Sequence, residues 1–271
     1  LPDMIKNAVG YIYPDGLDAA VEDGYYMDLT DLIPKYAPNY LKAIDNYASY
    51  EPLFKQATVT NKGRMVGISG IMTEPQGPYA GLYVRKDWLD DCGLETPVTY
   101  DDWETMLKAF KDQKGATAPL LLANTGYDPV GNTLSSGFGV SSSFYQVDGK
   151  VKYGPLEEGW KNYVTTMNKW YAEGLIDPDF MSNTSFWPDN AMVTTGKTAA
   201  FTSMYTLIAM YEGANEDPDA EYIPVLPPRQ NASDEVKSFS APVSFGAYVT
   251  ISADSPNAEM CLRWLDYLFT E

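Results

Sequence analysis

The sequence predicts an α/β fold with a largely parallel sheet, because short apolar runs alternate with stretches of helical periodicity and glycines stand where those helices should stop. Arg64-Met65-Val66-Gly67-Ile68 and Ala80-Gly81-Leu82-Tyr83-Val84 read as strands. Arg85 to Cys92 reads as a helix closed by Gly93. Thr99 and Asp102 form a capping-box pair ahead of Trp103, Met106, Leu107 and Phe110, which recur at helical spacing. Leu120-Leu121-Leu122 is the next buried strand. Trp160, Tyr163, Val164, Met167, Trp170 and Tyr171 share the face of a longer helix that ends at Gly174. Thr198 to Ser203, Tyr222 to Leu226 and Gly246 to Ser252 complete the strands, with the acidic stretches Asn215 to Asp219 and Gln230 to Glu235 as solvated loops. A last helix is expected from Ser255, as N-cap with Pro256 at its first position, and carries Ala258, Cys261, Leu262, Leu265, Leu268 and Phe269 on its buried face.

Composition narrows what such a fold can do. A chain of 271 residues corresponds to one or two domains. Its 19 basic against 37 acidic residues leave a net charge of −18, which argues against nucleic acid and anionic membrane partners. The absence of histidine excludes Ser-His-Asp triads, Cys-His dyads and histidine metal sites. Cys92 and Cys261 are too few for a thiolate cluster, so they are expected to pack as small hydrophobes, with a disulfide as the alternative. No metal and no cofactor are expected. The aliphatic stretch Ala118 to Ala123 is far shorter than the roughly 20 residues of a membrane span, and no leader-like segment opens at Leu1, so the chain as given is expected to be soluble.

Local motifs mostly favour structural readings. Gly196-Lys197-Thr198 lacks the earlier glycine of a phosphate loop, since Ala191 stands there, and it reads better as a helix-to-strand turn. Gly137-Phe138-Gly139 has Ser142 where a dinucleotide fingerprint needs its third glycine. The carboxylate pairs Asp90-Asp91, Asp101-Asp102 and Glu157-Glu158 sit at helix starts or exposed faces, where solvation or the helix dipole accounts for them. The sequons at Asn183 and Asn231 carry little weight.

Polar and aromatic residues also gather outside helical periodicity, where strands should end. Asn124, Thr125, Tyr127 and Asp128 follow the Leu120 strand, and Ser203 to Tyr205 follow the next. Phe186 and Trp187 lie in a loop, and Ser244-Phe245 precedes the Gly246 strand. Such a mixture suits a polyhydroxylated ligand, with rings on its C–H faces and amides or carboxylates on its hydroxyls. The same rings could instead fill domain seams.

Ala80-Gly81-Leu82-Tyr83-Val84-Arg85-Lys86-Asp87-Trp88-Leu89, followed by Gly93-Leu94, Pro97 and Thr99 to Trp103, resembles the signature that follows the first hinge in extracellular solute-binding proteins of carbohydrate ABC transporters, the maltose-binding-protein-like group. Trp170 to Pro178, Gly196 to Phe201 and Ile251 to Leu268 are similar to further segments of that family. The resemblance implies a two-lobed, hinge-connected periplasmic-binding-protein-like fold of type 2, truncated here at both ends. It implies lobe 1 over 1–80 and 248–271, lobe 2 over 84–243, and hinge strands at 81–83 and 244–247, with Gly81, Leu82, Tyr83, Ser244 and Gly246 as hinge residues. Tyr205 would be the stacking ring, with Ser203, Asn124, Thr125, Tyr127 and Asp128 as contacts from the second lobe. Phe186, Trp187 and Phe245 are further ligand candidates. Tyr79 is another, standing after Pro78 where the family often has a carboxylate.

The function expected is therefore that of a non-enzymatic, monomeric receptor binding an oligosaccharide in an interlobe cleft by hinge closure and serving ABC permease subunits. The resemblance implies an extracellular or cell-surface location with a lipid anchor in the full-length protein. The alternatives are a carboxylate-dependent glycoside hydrolase, or the same fold binding a peptide or another small molecule.

Overall fold

The computed structural model describes residues 2–7, 13–48, 54–71, 79–123, 133–183, 189–239 and 245–270, with the side chains of 7, 190 and 245–247 left out. The chain divides into two compact units, Leu1–Gln76 with Ala241–Glu271, and Gly77–Ser240. The expected hinge positions 81–83 fall within the second unit and 244–247 within the first.

In the first unit the chain runs through β1 (Met4–Asn7), α1 (Gly16–Glu22), α2 (Ile33–Tyr36), α3 (Pro38–Ala48), α4 (Phe54–Ala57) and β2 (Gly67–Ile71). The second unit contains β3 (Ala80–Arg85), α5 (Lys86–Asp91), α6 (Tyr100–Lys114), β4 (Phe144–Val147), β5 (Lys150–Tyr153), α7 (Glu158–Ala172), α8 (Asn190–Thr194), β6 (Ala200–Met204), α9 (Tyr205–Gly213) and β7 (Tyr222–Val225). The chain then returns to the first unit as β8 (Phe245–Ile251) and α10 (Ala258–Tyr267).

The first unit is built on a sheet of order β1-β8-β2, antiparallel at both seams. Its main core gathers Leu29, Ile33, Tyr40, Ile44 and Phe54 against Ile251, Leu262 and Leu265 of the returning segment. Asp266 carboxylate oxygens accept from Tyr40 N–H and Asn39 Nδ2, both at 2.8 Å, which locks α10 onto the start of α3. The helix begins at Ala258, not beside Ser255. The Ser255 hydroxyl instead accepts from Asn257 N–H at 3.1 Å and donates to Asp3, holding a turn ahead of the helix.

The second unit is built on the sheet β6-β3-β7, again antiparallel. The largely parallel sheet is therefore corrected: among the described residues, parallel pairing is confined to single bridges, Leu120 with Ile176 and with Ala200 among them. Leu120 to Leu122 supplies one such bridge and no longer strand. Apolar periodicity marks which residues are buried, but it carries no information on strand direction.

Alternate residues along β3 and β6 serve two cores. Leu82, Val84 and Ala200 face Trp88, Trp103, Phe110 and Trp170, while Tyr83 and Phe201 face Tyr211 and Tyr222. α6 opens with the expected capping box, Thr99 accepting from Asp102 N–H and Asp102 from Thr99 N–H, and it closes at left-handed Gly115. Arg85 is wholly buried, its guanidinium paired with Asp87 and Asp217 and lying 4.7 Å from the Trp88 ring centroid. Cys92 and Cys261 are both free.

Candidate functional site

At one end of the second unit's sheet, two of the expected ligand rings come together through strand register. Ala80 of β3 pairs with Met204 of β6, and one step further Tyr205 N–H donates to Tyr79 O at 3.2 Å. Tyr79 and Tyr205 are thus cross-strand neighbours, and directly opposite residues of an antiparallel pair have Cβ atoms about 4.5–5.5 Å apart. Met204 keeps extended backbone, with φ −74° and ψ 142°, before Tyr205 starts α9, so the strand's alternation of faces carries through to Tyr205.

That alternation places Tyr79, Gly81 and Tyr83 on one face of β3, opposite Tyr205, Ser203 and Phe201 of β6. Along this face the pairs pass from a buried core to solvent. Tyr83 and Phe201 stack with centroids 6.5 Å apart inside the protein. Ser203 is fully buried. Tyr205 and Tyr79 are 65% and 39% exposed. The outer rings are available to a ligand, whereas Ser203 lies beneath the surface.

The other expected residues are placed differently. Asn124, Thr125, Tyr127, Asp128, Phe186, Trp187 and Ser244 lie outside the described residues. Phe245 and Gly246 fall in β8 of the first unit, where Phe245 pairs with Ile71. Gly81, Leu82 and Tyr83 lie in the central strand of the second unit's sheet. Leu82 and Tyr83 are paired on both sides, to Thr202 and Phe201 and to Val225 and Pro224. Leu226, 61% exposed just past β7, was expected only as the end of a strand.

Among the described residues, the carboxylates that the fold perturbs are held below their ordinary range. Backbone N–H donation from Thr99 lowers Asp102, with burial opposing it. Asp217 is lowered by Asp219 N–H and then by Arg85. Burial would raise Glu104, but Lys108, Lys169 and the Trp170 indole N–H outweigh it and hold the group at about 2. Asp90 pairs with Lys86, Asp91 with Lys114 and Glu157 with Lys152. A general acid needs the opposite environment, one that keeps its proton on.

Comparison with known proteins gives these features a context. The bacterial extracellular solute-binding protein family matches residues 6–271. The fructooligosaccharide ABC transporter substrate-binding protein FusA of Streptococcus pneumoniae serotype 4 is 26% identical, over 98% of this chain and 50% of FusA. The polygalacturonan/rhamnogalacturonan-binding protein YtcQ of Bacillus subtilis is 28% identical, over 59% of this chain and 31% of YtcQ. The chain therefore spans half or less of the length of these curated relatives. Among solved structures, the alginate-binding protein AlgQ2 aligns with a TM-score of 0.69 at 23% identity, covering 93% of this chain and 52% of AlgQ2. An extracellular solute-binding protein from Bifidobacterium longum subsp. infantis aligns with a TM-score of 0.65 at 22% identity, covering 93% of this chain and 54% of its own. These structural likenesses show the fold, which is the class the resemblance implied.

Proposed function

The chain belongs to the bacterial extracellular solute-binding proteins, and on that footing we propose that it is a binding protein for a neutral oligosaccharide, handing its ligand to the permease subunits of an ABC importer. The observation that carries this reading is the exposed pair Tyr79 and Tyr205, brought side by side at the end of β3 and β6. Two phenols at a strand end offer apolar faces to sugar C–H surfaces and hydroxyls to sugar hydroxyls. That the related FusA is a fructooligosaccharide ABC transporter substrate-binding protein supports a sugar.

The polyuronate class named for YtcQ and AlgQ2 is less compatible with this chain, because a net charge of −18 disfavours an anionic polymer. A hydrolase reading gains no support from the perturbed carboxylates Asp102, Glu104 and Asp217, which their donors lower when a general acid needs the opposite. Membership of an extracellular family places the protein outside the cytoplasm, and we extend this to a lipid-anchored, monomeric receptor. Among the described residues no helix is long and apolar enough to cross a membrane.

Titration calorimetry with kestose, maltotriose, cellotriose and trigalacturonate tests the reading, with product analysis of each mixture. Stoichiometric binding of a neutral trisaccharide without cleavage is expected. Turnover of any of them, or binding of trigalacturonate alone, overturns it.

A further inference from the structure

Two strand glycines contrast sharply. At Gly67 in β2 a Cβ would meet Val249 O at 2.5 Å and the Tyr248 ring at 2.7 Å, so the protein's own packing accounts for the missing side chain. At Gly81 in β3 a Cβ would meet nothing within 4 Å, and its φ lies outside the left-handed region. Neither backbone conformation nor a packed neighbour accounts for it. A glycine inside a strand forfeits stability and often marks a place where a ligand or another backbone comes close.

The surroundings of Gly81 point to a ligand. It stands on the same face as Tyr79, one pair inward from the exposed rings, opposite the buried Ser203. On its other side Leu82 pairs with Val225, the last residue of β7, and Leu226 just beyond it is exposed. The exposed rings of Tyr79 and Tyr205 thus stand one pair outward from the bare backbone.

We propose that Gly81 is a specificity-determining position, whose missing side chain leaves a notch that receives the edge of a sugar ring resting on Tyr205. The proposal rests on the oligosaccharide reading above and adds a size limit to it. A ring lying on Tyr205 extends over Gly81, and any side chain there occupies the space the ring edge needs. The same substitution frees the unfolded chain of glycine's excess entropy, so folding should be unharmed or improved.

The test is a volume series, Gly81→Ala, Gly81→Ser and Gly81→Val, titrated with kestose, maltotriose and cellotriose beside the wild type, with a melting curve for each protein. The expected result is affinity falling in step with side-chain volume, by about tenfold or more for Val given the usual cost of overpacking, while melting temperatures stay level or rise. Equal loss for all three variants assigns Gly81 to backbone flexibility and overturns the notch. Unchanged affinity in folded variants overturns the notch and leaves the oligosaccharide reading standing. A wild type that binds none of the three sugars overturns that reading and the notch with it.

Discussion

The two three-stranded sheets share an antiparallel plan and differ in how they end. In β1-β8-β2 the glycine face is closed by the sheet's own Tyr248 and Val249, whereas in β6-β3-β7 the corresponding space at Gly81 stays open beside Tyr79 and Tyr205. The first sheet uses Tyr248 as packing, and the second leaves Tyr79 and Tyr205 at its end in solvent. Tyr248 is buried and its phenol pushed well above the ordinary range by that burial, while Tyr205 is exposed. The lesson is that residue type alone does not separate a structural aromatic from a binding one; what separates them is whether the facing backbone is already filled.

The largest effect that sharpens this contrast is expected at Gly67. A Gly67→Val side chain must displace the Val249 carbonyl, which is backbone and cannot swing aside, so a loss of about 3 kcal/mol is expected in denaturant melts. Gly81→Val should show no such loss. Comparable destabilisation at both positions breaks the comparison.

A second difference lies in acid. The Glu104 carboxyl, held at about 2 against an ordinary 4.5, joins α6 to Lys169 and Trp170 on α7 in the second unit. Because its folded pKa is depressed, the stability it adds is present above about pH 4.5 and is lost as pH falls toward 2. Allowing for its partial exposure, this amounts to the order of 2 kcal/mol. Glu104→Gln should therefore be less stable than wild type at pH 7 and indistinguishable from it near pH 2, as read by thermal melts across that range. A gap that persists unchanged at pH 2 assigns the effect to packing.

The smallest expected effect is at the cap of α6. Thr99→Ala removes the acceptor for Asp102 N–H and should lower stability by about 1 kcal/mol in the same melts, with no change in sugar affinity. An affinity change would link α6 to the site.

Local chemistry explains which parts of this architecture were readable in advance. The Thr99–Asp102 box and the left-handed Gly93 and Gly174 announce helix ends because each satisfies its constraint within a few residues of chain. α9 escaped notice because Tyr205-Thr206-Leu207-Ile208-Ala209-Met210-Tyr211 shows little contrast between faces and has no side-chain cap at Met204. Strand direction escaped as well, since β3 finds β6 and β7 from far along the sequence. Tyr205 was legible as a residue just past a strand. Its partnership with Tyr79 was not, because it arises from the Ala80–Met204 register. The burial of Ser203 was hidden too, since a hydroxyl at a strand end reads as a ligand contact.

The central claim is that the exposed end of the second unit's sheet is a sugar-binding surface, and Tyr205→Ala tests it most directly. Titration of that variant with kestose, maltotriose and cellotriose, alongside a melting curve without ligand, should show affinity weakened by roughly tenfold or more, in keeping with the loss of a stacked ring. The melting temperature should hold, because a side chain 65% exposed contributes little to the core. Affinity equal to wild type in a protein of unchanged stability would contradict the account.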